Sequence, residues 1–383
     1  MKVCLINNLY KPWNRGGADQ ITSLFYQGLV REGIDVFIVA TKPHFSFRKD
    51  KIKEKIYYLS SCYYYLGKIP KALRLFWHLI DMFDIFKCLQ VFFILKREKP
   101  QVVITHNLKG LSFLLPFLFK ILKIKHIHIV HDLQLVHPSG LMLWGKEKYF
   151  NSFSSKIYAR ICAFLFLPVS IVIFPSLWIR DEYKKHNFFR KSRQLILPNP
   201  VVLPPRLNIK KQQNYNFLYV GEIVEHKGVL FLIKVFNNLA HEYKDIKLLI
   251  IGDGTQLNEA KKMAGKAVKL LGRRPHDEVV KLMQESFALI VPSLCYENSP
   301  TVIYEACSLS LPVIASRIGG IEELVHYLGG VLFEPACSDN LKKKIKWSLG
   351  NEFELRKMGE ISRERIKRYS LDRYIKKIKK DVL

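Results

Sequence analysis

Residues 292–305 read P-S-L-C-Y-E-N-S-P-T-V-I-Y-E, and the fold is decided by how this stretch is read. Immediately before it, residues 287–291 (F-A-L-I-V) form a short apolar run of strand type. Pro292 ends that run. Pro300 marks a helix start, because proline fits the first helical turn, where its missing N–H costs nothing. From Thr301 the pattern T-V-I-Y-E-A-C is helical. Glu297 therefore stands in the loop at the carboxyl end of a strand, and Glu305 one turn into the next helix. Open α/β sheets bind ligands at the carboxyl ends of their strands. Asn298, Ser299, Pro300 and Thr301 lie beside the helix N-terminus, where unpaired N–H groups and the dipole attract phosphate. A ligand with hydroxyls for the carboxylates and phosphate for the helix end, such as a sugar nucleotide, suits the stretch. The same spacing also fits a surface Glu and a helical Glu with no joint role.

Outward from this stretch, strand-like runs alternate with helical ones in both directions. A first strand (2–7) leads through N-L-Y-K-P-W-N-R-G-G to a helix from about 18 to 32 and a second strand at 34–40, a βαβ unit whose loop carries Gly16 and Gly17. Residues 72–97 are one long helix or two, 101–105 a strand, 111–122 a helix and 126–130 a strand, after which His131-Asp132 begins a loop. The uncharged run 161–179 approaches the length of a membrane span, but Pro168 and Pro175 interrupt it. It reads as a helix end, a turn and a buried strand at 169–174, with a transmembrane helix as the alternative. A continuous apolar strand is what a parallel sheet covered on both faces requires. Residues 195–205 (L-I-L-P-N-P-V-V-L-P-P) cannot be helix interior. A second βα series begins after them, with strands at 217–220, 247–251, 267–270, 287–291 and 312–315. The expected fold class is α/β: two Rossmann-like, doubly wound parallel-sheet domains facing each other across a cleft. The expected division is 1–197, a linker 198–214, 215–364, and a C-terminal helix 365–383 packing back on the first domain.

The chain has 383 residues, 49% of them apolar, enough for two ordinary domains with sizeable cores. Its start runs straight into V-C-L-I-N-N, so no secretory leader is expected. Seven scattered cysteines without a C-x-x-C pair argue against a zinc site and fit free thiols in a reducing compartment. The net charge of +28 is uneven: residues 1–200 carry 31 basic against 12 acidic residues, the remainder 30 against 21. Such a field recruits anions, whether nucleic acid, anionic lipid or phosphorylated substrate. In the first half the basic residues alternate with aromatic and aliphatic ones, around Lys68 to Arg74 and Lys120 to Lys125, near Trp77, Phe117 and Phe119. That mixture suits an anionic membrane surface better than a nucleic-acid groove.

Four features of the second half stand in one order: G-E-I-V-E-H-K-G at 221–228, I-G-D-G at 251–254, the E-x7-E pair Glu297/Glu305, and P-V-I-A-S-R-I-G-G-I-E-E at 312–323. With Gly16-Gly17 and the His131 loop, the chain resembles the retaining glycosyltransferases of the GT-B fold, the group 1 or GT4 family. The resemblance covers nearly the whole chain and is strongest from 217 to 323. It implies transfer of a sugar from a UDP- or GDP-linked donor with retention at the anomeric carbon. It also implies roles. Glu297 lies near the donor sugar and Glu305 bonds the ribose hydroxyls. Lys227 contacts the diphosphate, and Asn298, Ser299, Pro300 and Thr301 offer it backbone N–H groups. Gly252, Asp253 and Gly254, with Arg273, line the nucleotide base. Gly16 and Gly17 let backbone approach donor or acceptor, and His131 sits over the donor sugar, with His106 as a rival; neutral and charged forms of His131 are both expected near pH 7. The residue after Gly221, Arg in the family pattern, is Glu222 here; Arg15, Arg273 and Arg317 are candidates to replace it.

The chain contains no D-x-D, so no metal and no cofactor is expected: basic residues and helix N-termini take the place of a cation. The catalytic candidates are Glu297, His131 and Lys227. The expected partners are a nucleotide-sugar donor, a lipid-linked saccharide or surface-polysaccharide acceptor and an anionic membrane surface, without nucleic acid. The expected location is the cytoplasmic face of a membrane. Within the fold, a sugar-nucleotide epimerase or a phosphorylase is a rival that these motifs disfavour. The rival of another class is a non-catalytic anionic-lipid or nucleic-acid binder on the same scaffold; charge favours it, and the intact E-x7-E with Lys227 disfavours it.

Overall fold

Short apolar runs bounded by glycine, proline and polar turns become strands throughout. The computed structural model describes residues 1–14, 16–44, 46, 53–205 and 215–383, and only the backbone of 68, 71, 72 and 75. Arg15, the side chain of Lys68 and linker residues 206–214 thus lie outside the described residues.

The chain divides into two compact units. The first comprises residues 1–140, 148–200 and 371–383. Its strands are β1 (Lys2–Ile6), β2 (Asp35–Lys42), β3 (Ile56–Ser60), β4 (Val102–Thr105), β5 (Lys125–Ile129), β6 (Ile171–Phe174) and β7 (Arg193–Ile196). They form one sheet in the order β3-β2-β1-β4-β5-β6-β7, parallel at every pairing. Val3, Leu5, Ile38, Ile104, Ile127 and Ile173 fill its core. The C-terminal helix Leu371–Asp381 belongs to this unit and lays Leu371 and Ile375 against the helix Gly17–Arg31. The contact is close at Gly28, where a Cβ would stand 2.4 Å from Ile375 Cγ1.

The second unit comprises residues 141–147 and 201–370. It contains β8 (Tyr215–Val220), β9 (Ile246–Ile251), β10 (Val268–Gly272), β11 (Ala288–Val291), β12 (Val313–Ser316) and β13 (Val331–Phe333), in the order β10-β9-β8-β11-β12-β13, again all parallel. Alternate residues feed two buried clusters, Phe217, Leu248, Ile250 and Ile290 in one and Leu218, Leu289, Val291 and Ala315 in the other. A sheet covered on both faces needs such continuous apolar strands.

In both sheets the order reverses beside the first strand, between β1 and β4 and between β8 and β11. The loops after those strands therefore diverge and open a crevice at each switch point.

Some expectations are resolved and others change. Of the two readings of residues 72–97, the structure has two helices, Lys71–Met82 and Ile85–Glu98, because Asp84 caps the second by accepting from the Lys87 N–H at 2.9 Å. The proline-rich run opens on the last two residues of β7, Leu195 and Ile196, a strand not read from the sequence. The three-residue β13 has too short a pattern to be read from sequence. Around 161–179, a helix Phe153–Leu165 precedes β6. No helix among the described residues is long and apolar enough to cross a membrane. Phe119, expected near a membrane surface, is fully buried against His126 in the core of the first unit.

Candidate active site

In the second unit the switch point joins two loops. The loop after β8 enters a one-turn 3-10 helix, Glu225–Lys227, and then Gly228 at φ +73°. A Cβ at Gly228 would stand 2.1 Å from the Pro292 carbonyl oxygen, so glycine is required for the two loops to touch. Contact here delivers Lys227 to Glu297: Nζ donates to Oε2 at 2.8 Å. Ser293, two residues past the end of β11, donates its hydroxyl to the other carboxylate oxygen. Burial alone would raise the Glu297 pKa, but the charge and hydrogen bond of Lys227, with Ser293 and His226, outweigh it and hold the carboxyl below its ordinary value. Burial would likewise lower the Lys227 pKa, and Glu297 reverses it, so the ammonium titrates above its usual range. Both groups are ionised at neutral pH.

The backbone around Glu297 is held from two further sides. Its carbonyl accepts from the Gly320 N–H at 2.8 Å. Residues 141–147 run alongside it: Leu143 bridges Cys295 in antiparallel fashion, the Tyr296 N–H donates to the Met142 carbonyl at 2.9 Å, and the Tyr296 hydroxyl donates to Glu147 at 3.0 Å.

The helix Thr301–Ser308 starts at Pro300 with no acidic residue in its first turn. Asn298 is buried beside it, and the Ser299 and Tyr304 hydroxyls bond at 2.6 Å. Glu305 is half-buried, and its pKa is raised by burial, against a smaller opposing influence from His276. It has no ion-pair partner among the described residues, whereas Glu297 has one.

The strand ends β8, β9 and β10 are stitched through the turn at 251–254. Gly221 N–H donates to the Ile251 carbonyl at 3.0 Å, Ile223 N–H to Asp253 at 2.9 Å and Gly252 N–H to Gly272 at 3.0 Å. Gly252 and Gly254 thus serve backbone contacts with residues 221–223, whatever else Asp253 and Arg273 line. Glu222 and Arg273 are exposed. Arg317 pairs with Glu322 at 3.3 Å and Glu334 at 3.2 Å, so its charge is already engaged by carboxylates.

In the first unit the switch point is built from amides, imidazoles and a buried carboxylate, Asp19. Asn7, just past β1, donates to the Leu9 carbonyl at 2.6 Å and to Asp19 at 3.0 Å, and accepts from the Asn107 N–H at 3.2 Å. Asp19 in turn accepts from the Gly16 N–H at 3.2 Å, which fixes Gly16 and Gly17 at the start of the helix Gly17–Arg31. Gly16 itself is extended, and a Cβ there would meet nothing within 4 Å. Nothing among the described residues requires glycine at that position.

His131 stacks on His106 with ring centroids 5.0 Å apart and 16° between planes; His106 Nδ1 and His131 Nε2 are 2.7 Å apart. Burial pushes His131 down to about 4 and His106 well below its ordinary value. The charged form of His131 is thus not accessible near pH 7, contrary to the sequence expectation. The two histidines line a small cavity with Asp132, Gln134 and Tyr183, into which the buried His106 Nε2 brings no protein partner.

Two family models tile the chain: "Glycosyltransferase Family 4" over residues 15–203 and "Glycosyl transferases group 1" over 204–365. The chain belongs to the group 1 glycosyltransferases. A 42.6 kDa protein of the cps region of Klebsiella pneumoniae is 28% identical over 87% of this chain and 90% of its own length. The lipopolysaccharide 1,2-N-acetylglucosaminetransferase of Salmonella typhimurium is 28% identical over 47% of this chain and 53% of its own. Among solved structures, Alr3699/HepE of Anabaena, in complex with UDP, superposes with a TM-score of 0.72 over 99% of both chains at 17% identity. The fold of this glycosyltransferase is GT-B.

Motif reading missed three contributors to the glycosyltransferase site. Ser293 stands four residues before Glu297 inside the stretch that opened the sequence reading, and only the loop's curl turns it inward. Residues 141–147 carry no motif, and their partner lies 149 positions away. Asn7 was read only as the end of a strand.

Proposed function

We propose that this glycosyltransferase moves a sugar, with retention at the anomeric carbon, from a nucleotide-sugar donor to a lipid-linked saccharide or surface-polysaccharide acceptor at the cytoplasmic face of a membrane. The observation that carries the reading is the ionised Lys227–Glu297 pair at the second switch point, beside the free N-terminus of the helix Thr301–Ser308, with Glu305 one turn further on. Transfer must stabilise a departing diphosphate and an oxocarbenium-like sugar, and fixed charges aimed at developing charge are the strongest means of doing so. Lys227 and the helix N–H groups face the first need. Glu297, kept ionised, faces the second, and Glu305 accepts from the ribose hydroxyls. His131 acts as a neutral hydrogen-bonding group toward the sugar, not as a cation. Lys227 and the helix N-terminus do the work a divalent metal does elsewhere, so turnover is expected to continue in excess chelator.

A UDP-linked donor stands ahead of a GDP-linked one because Alr3699/HepE was solved with UDP. A saccharide of the cell envelope as acceptor is supported by the Salmonella relative. The testing experiment is a thermal-shift screen of UDP-, GDP- and ADP-sugars with and without chelator. A donor at about 100 times its dissociation constant stabilises by roughly 2.7 kcal/mol. No shift with any nucleotide sugar overturns the reading, and a shift that requires magnesium or manganese overturns its metal-free part.

A further inference from the structure

We infer that the paired helices Lys71–Met82 and Ile85–Glu98 form a docking surface for an anionic lipid bilayer. This rests on the membrane-held acceptor of the proposed function and names the surface that would meet the membrane.

The helices are amphipathic in the reverse sense. On the first, the buried positions toward its end include a carboxylate, Asp81, which accepts from the Gly110 N–H at 2.8 Å. Its outward row is apolar: Leu73, Phe76 (63% exposed) and Ile80 (69%), spaced to lie on one face. On the second, Val91 and Leu95 face the core, while Phe86 (82%), Leu89 and Phe93 (65%) repeat the outward row. Phe83 and Ile85 continue it across the connection. Ile121, also exposed, extends it on the helix Leu115–Ile121, which packs on the second helix. A contiguous apolar surface of this kind on a folded domain marks an interaction site.

Charge selects the occupant. Lys96, Arg97 and Lys99 are exposed at the end of the second helix, and Lys120 and Lys123 at the end of the neighbouring one. Lys96 lies 5.4 Å from the Phe92 ring and Arg97 4.9 Å from the Tyr57 ring, an arrangement that keeps cations level with aromatic surface. The acids of the two helices and their connection are turned to internal work: Asp81 is buried, Asp84 caps the second helix, and Glu98 is buried against Lys2 and Lys55. A second copy of this chain docking on the same face would bring cations against cations with no exposed carboxylate to receive them. Lipid phosphates supply the missing anions, and acyl chains accept the phenylalanines.

The test uses the full chain and vesicles of phosphatidylglycerol mixed with phosphatidylcholine, with pure phosphatidylcholine as control. The wild type is expected to co-sediment with the mixed vesicles only, less so at high salt. Phe76→Ser with Phe86→Ser is expected to weaken binding about tenfold or more, because both aromatic anchors are lost. Lys96→Glu with Lys120→Glu, which leaves the apolar row intact, is expected to remove the preference for the anionic vesicles. The melting temperature of each variant and its affinity for UDP-sugar, measured without vesicles, should match the wild type. Equal binding to both vesicle types overturns the inference. So does unchanged binding by the Phe variant, or a wild-type dimer that the Phe variant dissolves without any vesicle binding. Because nucleotide-sugar affinity is read on the same preparations, a wild type that binds donor but neither vesicle type overturns this surface alone. Absent donor binding overturns the proposed function instead.

Discussion

The two switch points occupy equivalent places in two parallel sheets, yet one is centred on a charged pair and the other on a pair of neutral imidazoles. After β8 and β11, Lys227 and Glu297 hold each other ionised at 2.8 Å. After β1, β4 and β5, the space is filled by Asn7, Asn107 and the stacked pair His106–His131. Burial acts on both sites in the same direction, against charge. The outcome differs because Glu297 has a cation and a hydroxyl within bonding distance, while His106 and His131 are bonded ring to ring and burial lowers both pKa values. Topology thus places a crevice, and the partners available within a few ångströms decide its charge.

Acidification should separate the two regions most strongly. The folded pKa values of His131 (about 4) and His126 (about 3) lie below the usual 6.5, and burial also lowers those of His106 and His128 well below it. The unfolded chain therefore binds more protons between pH 6.5 and 4, and stability is complete above 6.5 and falls as pH drops through that window. His131 and His126 each contribute on the order of a few kcal/mol. Glu297, with a depressed pKa, keeps its contribution above the ordinary carboxylate range and loses it only as pH falls from there through its lowered value. Hydrogen exchange at pH 5 should therefore show β4, β5 and β6 losing protection while β8, β11 and β12 keep theirs. Uniform loss would erase the contrast.

Lys227→Met attacks the charged region directly. It leaves Glu297 desolvated without its cation, and stability is expected to fall by about 3 kcal/mol, read from the denaturation midpoint. Turnover should fall about a hundredfold or more if the ammonium also faces the diphosphate. Intact stability with lost turnover would show that solvent or Ser293 suffices for Glu297.

Glu305→Gln tests the carboxylate that has no cation. Donor affinity is expected to fall by about 1.5–3 kcal/mol in calorimetry, with little change in melting temperature. Because burial raises the Glu305 pKa, wild-type donor affinity should weaken as pH falls through that raised value, and the Gln variant should not follow it.

The smallest effect distinguishes the glycines. Gly228→Ala places a Cβ on the Pro292 carbonyl at positive φ and is expected to cost about 1–3 kcal/mol. Gly16→Ala meets open space in extended backbone, so stability should change by less than about 1 kcal/mol while ligand affinity falls. Equal losses of stability at both sites would remove the reading of Gly16 as a ligand-facing glycine.

Much of the fold was legible because its signals are local. The helix from Thr301 was legible because Pro300 starts it and the strand-like run at 287–291 ends at Pro292. The run 161–179 resolved into helix, turn and strand because two prolines interrupt it. The short β13 and β7, whose last two residues open the proline-rich run, were not legible, since three or four residues carry too little periodicity. Of the site, Glu297, Glu305 and Lys227 were named from motifs, but the Lys227–Glu297 bond spans 70 positions, and no spacing rule reaches that far.

By itself, the sequence determined two α/β series, the strand ends where charged and small residues gather, and the family motifs, because period, proline and glycine act over a few residues. Tertiary structure alone decided which of those residues meet and in what protonation state. It brought residues 141–147 to the Glu297 loop, turned Arg317 toward carboxylates, buried Phe119 and left Phe76 and Phe86 in solvent. The physical reason is that burial and pairing are set by neighbours distant in the chain, and the cost of charge in a protein interior depends on those neighbours.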